Sequence, residues 1–190
     1  NSHTTEILPN SASPIIQIND EYLSLLHKFL KNNPIYSNLI TAKMLGIECT
    51  IFEGDLNNYW IDSIKHDASY APFYPTWMLS ALSLAIEANN LGYEQIIDIG
   101  SGDGRIAYCG KVLGLDSISI EIDENLTDLQ ESISKKTGVV FNPMCFDATI
   151  FDFKKIPEKK SIIVIGGVPE IGEVLAESVI KNTLESSNLE

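Results

Sequence analysis

Basic residues are scarce in this chain: 13 Lys and Arg stand against 26 Asp and Glu, a formal net charge of −13 over 190 residues. Replacing counterions along a phosphate backbone takes clustered Lys and Arg, so nucleic-acid binding is not expected. The short basic cluster Lys154, Lys155, Lys159 and Lys160 holds Asp152 and Glu158 within it, and reads as a solvated loop. Cysteine and histidine are sparse too, at three each. Cys49, Cys109 and Cys145 are too widely spaced for a disulfide frame or a zinc site and suit a reducing cytoplasm. His3, His27 and His66 are scattered, so a metal site is not expected. Long apolar runs are missing: Ile162 to Val168, interrupted by two glycines, falls far short of a membrane span. No basic segment followed by an apolar stretch and a small-residue cleavage site opens the sequence, so no secretory signal is expected. What is there is 44% hydrophobic and 21% charged, ordinary for a globular chain with one good core. An acidic surface suits small-molecule or basic protein partners.

The most informative stretch is Gln95-Ile-Ile-Asp-Ile-Gly-Ser-Gly-Asp-Gly-Arg105, with Glu121 at the end of the next apolar run. An apolar strand ending in an acid, three glycines at alternate positions and a second acid about twenty residues on form the pattern by which α/β proteins hold an adenosine-bearing cofactor. Gly100, Gly102 and Gly104 permit a tight turn and close backbone approach. The Glu121 carboxylate is placed for ribose hydroxyls. The frame Gly102-x-Gly104-x-x-Ala107 also fits the looser dinucleotide pattern, which leaves an NAD-linked oxidoreductase as an alternative. In that pattern, however, the loop receives an anionic pyrophosphate. Asp98 and Asp103 flank this loop, and like charges a few ångströms apart repel by roughly 1–4 kcal/mol. Asp98 suits a ligand carrying an amino group and a sulfonium, which is S-adenosylmethionine.

Asp98-Ile-Gly-Ser-Gly-Asp-Gly-Arg105 resembles motif I of the class I methyltransferases, and Glu121-Ile-Asp123 resembles their motif II. Tyr70-Ala-Pro-Phe-Tyr-Pro-Thr76 is similar to the segment before motif I in small prokaryotic methyltransferases related to mitochondrial-type protein-lysine methyltransferases. The resemblance covers roughly residues 68 to 180. It implies an S-adenosylmethionine-dependent methyltransferase whose cofactor contacts come from Asp98, Gly100, Ser101, Gly102, Asp103, Gly104, Arg105 and Glu121. It further implies that Asp147 bonds the adenine amino group and that Phe146 flanks the ring. A capping Asp after a strand is the plain alternative for Asp147, and a bridge to Asp103 or Glu121 is the plain alternative for Arg105. A non-catalytic module that keeps the cofactor fold is a third reading. Tyr70, Phe73, Tyr74 and Trp77 form an aromatic cluster that either packs in the core or lines a substrate channel.

The acceptor is less determined. Amino-methyltransferases of adenine and glutamine carry Asn/Asp-Pro-Pro-Tyr after the fourth strand, whereas this chain has Gly166-Gly-Val-Pro-Glu170. That departure counts against adenine methylation and leaves a protein amine (lysine) or a small molecule. Tyr74 and Glu170 are the candidates for assisting an acceptor.

Hydrophobic spacing divides the chain into a loose arm over 1–19, a helical extension over 20–67 and a cofactor-binding domain over 68–190. Asp20 is expected to cap a helix with Tyr22, Leu25, Leu26, Phe29 and Leu30 on one face. Tyr36, Leu39, Ile40 and Met44 predict a second helix ending at Gly46, and Ile47 to Phe52 a short strand. Thr76 is expected to cap a third helix, after which strands near 95–99, 117–122, 139–145 and 161–165 alternate with helices near 104–113, 124–136 and 169–184. Ile171, Val174, Leu175, Val179 and Ile180 are expected to face inward on the last helix. Alternation of this kind implies a doubly wound, mainly parallel α/β sheet, here cut short after its fourth strand. That strand would present an open edge, so a homodimer or a longer natural chain is expected to cover it.

Overall fold

The computed structural model describes residues 2–59, 73–166 and 169–187. Two sheets share the chain. The first is antiparallel, in the order β1 (His3–Pro9), β3 (Ile47–Asp55), β2 (Tyr36–Met44), with helix α1 (Asp20–Lys31) between β1 and β2. Helix α2 (Met78–Asn90) leads into the second sheet. There β4 (Gln95–Ile99), α3 (Arg105–Val112), β5 (Asp116–Glu121), α4 (Glu124–Thr137), β6 (Asn142–Cys145), β7 (Ser161–Ile165) and α5 (Pro169–Ser187) follow one another.

The second sheet is parallel throughout, in the order β6-β5-β4-β7. Chain progression runs outward from β4 through β5 to β6, then returns to the other side of β4 as β7. This is a doubly wound sheet with its switch point between β4 and β7, where the loops leaving the carboxyl ends part and open a crevice. All four strands and three helices of this part fall where hydrophobic spacing puts them, within a few residues.

Side chains alternate across β4. Ile96 packs with α2, α3 and α4 through Met78, Ala81, Leu82, Ala107, Tyr108, Leu126 and Leu129. Ile97 and Ile99 face Ile118, Ile120, Phe151, Phe153 and Val179 on the opposite side. Both faces of the sheet are therefore covered, as a run of Ile on parallel strands requires. On α5 the structure keeps Leu175 and Val179 against the core but turns Ile180 out, 55% exposed. The side chains of Ile171 and Val174 lie outside the described residues.

Three N-terminal expectations are corrected. Residues 3–9 are a strand, not a loose arm: β1 pairs with β3 over its whole length, and Leu8 is fully buried. Residues 36–44 are an edge strand, not a helix, and only Tyr36 of the four residues that suggested a helix is buried. Gly46 is not a helix cap. With Leu45 at φ 51° and Gly46 at φ 79°, it makes a two-residue hairpin turn that leaves Met44 opposite Ile47. The helix caps also differ from expectation. Asn19, not Asp20, caps α1 by accepting from Glu21 N, while Asp20 accepts from Ala12 N at 2.7 Å. Trp77, not Thr76, precedes α2, and it has no side-chain cap bond. Leu8, Phe29, Tyr36 and Phe52 share one hydrophobic cluster with α2 and α3, so the N-terminal sheet is built into the same core as the parallel sheet.

Candidate cofactor site

The switch-point crevice is formed by the loop after β4 and by Gly166 after β7. Gly166 N donates to the Ile99 carbonyl at 2.9 Å, and a Cβ on Gly100 would lie 3.1 Å from the Gly166 oxygen. Gly100, Gly102 and Gly104 all have positive φ, at 67°, 58° and 79°, which side chains rarely tolerate. Gly102 is the most constrained: a Cβ there would meet the Phe73 ring at 2.1 Å. Phe73 thus rests on the loop. Tyr70 lies outside the described residues.

Two acids meet at this loop from adjacent strands. Glu121, ending β5, accepts from Gly102 N at 2.8 Å with one oxygen and from Asp123 N at 3.2 Å with the other. Burial raises its pKa, against the pull of those amides. Asp98, on β4, is 1% exposed. It accepts a backbone hydrogen bond from Ala107, but its Oδ2 is buried with no hydrogen-bond partner. Burial, reinforced by the Glu121 charge, pushes its pKa up to about 8. A buried carboxyl with a free oxygen and no cation of its own is costly, and it is relieved by a ligand that brings positive charge or donors.

Gln130 holds the loop from below, a residue that no motif pointed to. From α4 its Nε2 donates to Ser101 Oγ at 2.8 Å and to the Gly102 carbonyl at 2.7 Å, while its Oε1 accepts from Ser119 Oγ. Asp123 caps α4, accepting from Asn125 N and Leu126 N.

Asp103 and Arg105 are bonded to each other and to the N-terminal sheet. Arg105 Nη2 meets Asp103 Oδ2 at 2.6 Å, and Nη1 meets Glu6 Oε2 at 3.1 Å, all three side chains being buried. Burial opposes the guanidinium charge, but Asp103 and Tyr36 together outweigh it and its pKa is raised. Asn33 adds a bond to Asp103 Oδ2 at 3.0 Å. Of the two alternatives for Arg105, the bridge to Asp103 is the one formed, and Glu6, Asn33 and Tyr36 are participants that sequence reasoning missed.

At the C-terminal end of β6, Phe146 N donates to the Glu121 carbonyl at 2.9 Å, which brings Phe146 beside motif II. Its ring is 42% exposed and stands edge-on to Phe151. Asp147 accepts from Thr149 N at 2.9 Å and from Thr149 Oγ1 at 2.6 Å, so the capping role is filled. A cavity of about 340 Å³ lies between β1 and residues 74–77, lined by His3, Glu6, Leu56, Tyr74 and Trp77 among others. Tyr74 and Trp77 are 59% and 55% exposed, so neither is core. The Glu170 side chain lies outside the described residues. Among the described residues no cluster of His, Cys, Asp and Glu could hold a metal ion, and no helix is long and apolar enough to cross a membrane.

No family model and no curated protein matches this chain. Solved structures do resemble it. An RNA methyltransferase from Salinibacter ruber in complex with S-adenosyl-L-homocysteine is 23% identical, with TM-score 0.47 over 57% of this chain and 71% of that one. A putative RNA methyltransferase from Pyrococcus horikoshii is 20% identical, with TM-score 0.48 over 59% of this chain and 57% of that one. A TehB-like SAM-dependent methyltransferase from Corynebacterium glutamicum is 20% identical, with TM-score 0.41 over 67% of this chain and 64% of that one.

Proposed function

We propose that this chain is an S-adenosylmethionine-dependent methyltransferase acting on a protein amine (lysine) or on a small molecule. The observation that carries the reading is the buried, half-partnered Asp98 carboxyl beside Glu121 at a glycine loop on the sheet's switch point. Four acids, Asp98, Asp103, Glu121 and Asp123, are buried at or beside this loop, and Arg105, the one buried cation among the described residues, is already engaged by Asp103 and Glu6. A pyrophosphate would meet net repulsion there, whereas a ligand with an ammonium and a sulfonium would not. NAD is therefore disfavoured.

In this reading Asp98 takes the ammonium of the cofactor's methionine, Glu121 the ribose hydroxyls, and the Gly100–Gly104 backbone lies against the ligand. Phe146 and Asp147 remain the residues proposed for the adenine. The bound cofactor would supply a methyl group on a sulfonium, an electrophile whose reaction is governed by positioning and exclusion of water. An amine acceptor must arrive deprotonated. Tyr74, exposed at the rim of the cavity, is the residue proposed to orient it or receive its proton.

Calorimetry with S-adenosylhomocysteine and with NAD tests the cofactor. Micromolar binding of the first and none of the second is expected, and the reverse would overturn the reading. Transfer of labelled methyl from S-adenosylmethionine to lysine peptides and to small amines then tests turnover. Binding without transfer to any acceptor would favour a non-catalytic module.

A further inference from the structure

Arg105 has five N–H donors, and each finds its own acceptor. Nε donates to Asp103 Oδ1 at 3.0 Å, Nη1 to Glu6 Oε2 at 3.1 Å and to the Thr76 carbonyl at 2.6 Å. Nη2 donates to Asp103 Oδ2 at 2.6 Å and to the Tyr36 hydroxyl at 3.0 Å. Four separate stretches of chain converge on this one guanidinium. The other carboxylate oxygen of Glu6, Oε1, accepts the Met78 amide at 3.1 Å. That amide opens α2, whose own cap position, Trp77, offers no side-chain acceptor. A carboxylate from β1 therefore serves as the cap of a helix 72 residues away.

The consequence reaches the glycine loop by two routes. Through Arg105, Glu6 steadies Asp103, which lies between Gly102 and Gly104 in the loop. Through Met78 N and the Thr76 carbonyl, Glu6 and Arg105 together pin residues 76–78, and Phe73, just upstream, bears on Gly102. We propose that Glu6 is a positioning residue for the glycine-loop site, holding the loop through Arg105 and the 76–78 backbone. This rests on the cofactor reading above. The N-terminal sheet then belongs to the binding apparatus although none of its residues need touch the ligand.

The test uses the full chain. Glu6→Gln keeps the shape and an oxygen for Met78 N but turns an amide donor toward Arg105. Removal of one of two carboxylates leaves Arg105 and Asp103 as a neutral pair, so the variant is expected to fold. Tyr36→Phe is the milder variant, removing a single acceptor from Nη2. Cys49→Ala, a buried change on β3 opposite Pro9 and Ala42, is the control for lost stability alone. With S-adenosylhomocysteine as probe, Glu6→Gln should raise Kd about tenfold and Tyr36→Phe about threefold, with Cys49→Ala unchanged. Hydrogen exchange without ligand should speed up at the Gly102 and Gly104 amides in Glu6→Gln and not in Cys49→Ala. Equal effects of Glu6→Gln and Cys49→Ala on both readouts would overturn the proposal. If the wild-type protein bound no S-adenosylhomocysteine, the cofactor reading would fail, and the exchange comparison would still decide the positioning role.

Discussion

Replacing Asp98 by Asn should make this protein more stable and, by the proposed reading, a poorer binder. Burial pushes the Asp98 pKa from an ordinary 3.8 up to about 8, with the Glu121 charge adding to the effect. A carboxyl with a raised folded-state pKa costs nothing below its unfolded value, since both states then hold the proton. As pH rises through the window from 3.8 to about 8, the unfolded chain ionises while the native protein keeps its proton, and stability falls. Above the window the cost is constant. At about 1.4 kcal/mol per unit the upper bound at pH 7 is about 4 kcal/mol, and relaxation and water penetration reduce this to about 1–3 kcal/mol. For a chain of this size that corresponds to a rise of about 3–10 °C in Tm. The amide introduced by Asp98→Asn, if left unsatisfied, would subtract a pH-independent amount, about 1 kcal/mol. The decisive quantity is thus the slope. Thermal melts of both proteins from pH 5 to pH 8 should diverge steadily, with the variant gaining on the wild type. Parallel curves would refute the assignment of Asp98 as a strained, neutral carboxyl. In calorimetry the variant should lose about 10- to 100-fold in affinity for S-adenosylhomocysteine, the scale of a charge-assisted hydrogen bond.

Glu121→Ala should weaken S-adenosylhomocysteine binding by roughly 1–3 kcal/mol, and an unchanged Kd would remove Glu121 from the site. Gly102→Ala combines a positive φ with a Phe73 ring 2.1 Å from the new Cβ, so it should cost about 1–3 kcal/mol in stability and abolish measurable binding; a variant with wild-type melting and affinity would show that the loop is not held as described. Given the net charge of −13, no mobility shift of duplex DNA or RNA is expected at micromolar protein and about 150 mM salt, and a clear shift would contradict the charge argument.

The parallel sheet was legible because β4 is buried along its whole length and, like β7, reads as a run of Ile and Val, and because the glycines mark the loop whichever ligand it serves. The N-terminal sheet was not, and the reason is physical. Leu39, Ile40 and Met44 sit at helical spacing, yet each is more than 40% exposed on an edge strand, so their pattern reports no buried face. The hairpin turn is Leu45-Gly46, without the Asn or Asp that usually announces one. The network around Arg105 was hidden for a different reason. Its partners stand 69 residues away at Tyr36 and 99 away at Glu6, and nothing local distinguishes them from solvated polar residues.

The hidden sheet and the hidden network have one root. Asp98 draws notice because an acid on a buried strand must find a partner, and none stands nearby in the sequence. Glu6 meets the same condition. On β1 it shares the inward face with Leu8, both buried, and an acid on that face demands a cation. Once residues 3–9 are a strand, that demand stands beside an equally unexplained Arg at the first turn of a helix behind the glycine loop. Strand assignment therefore decides which charges need explaining, and the pairing of Glu6 with Arg105 is what joins the two sheets electrostatically as well as through their shared core.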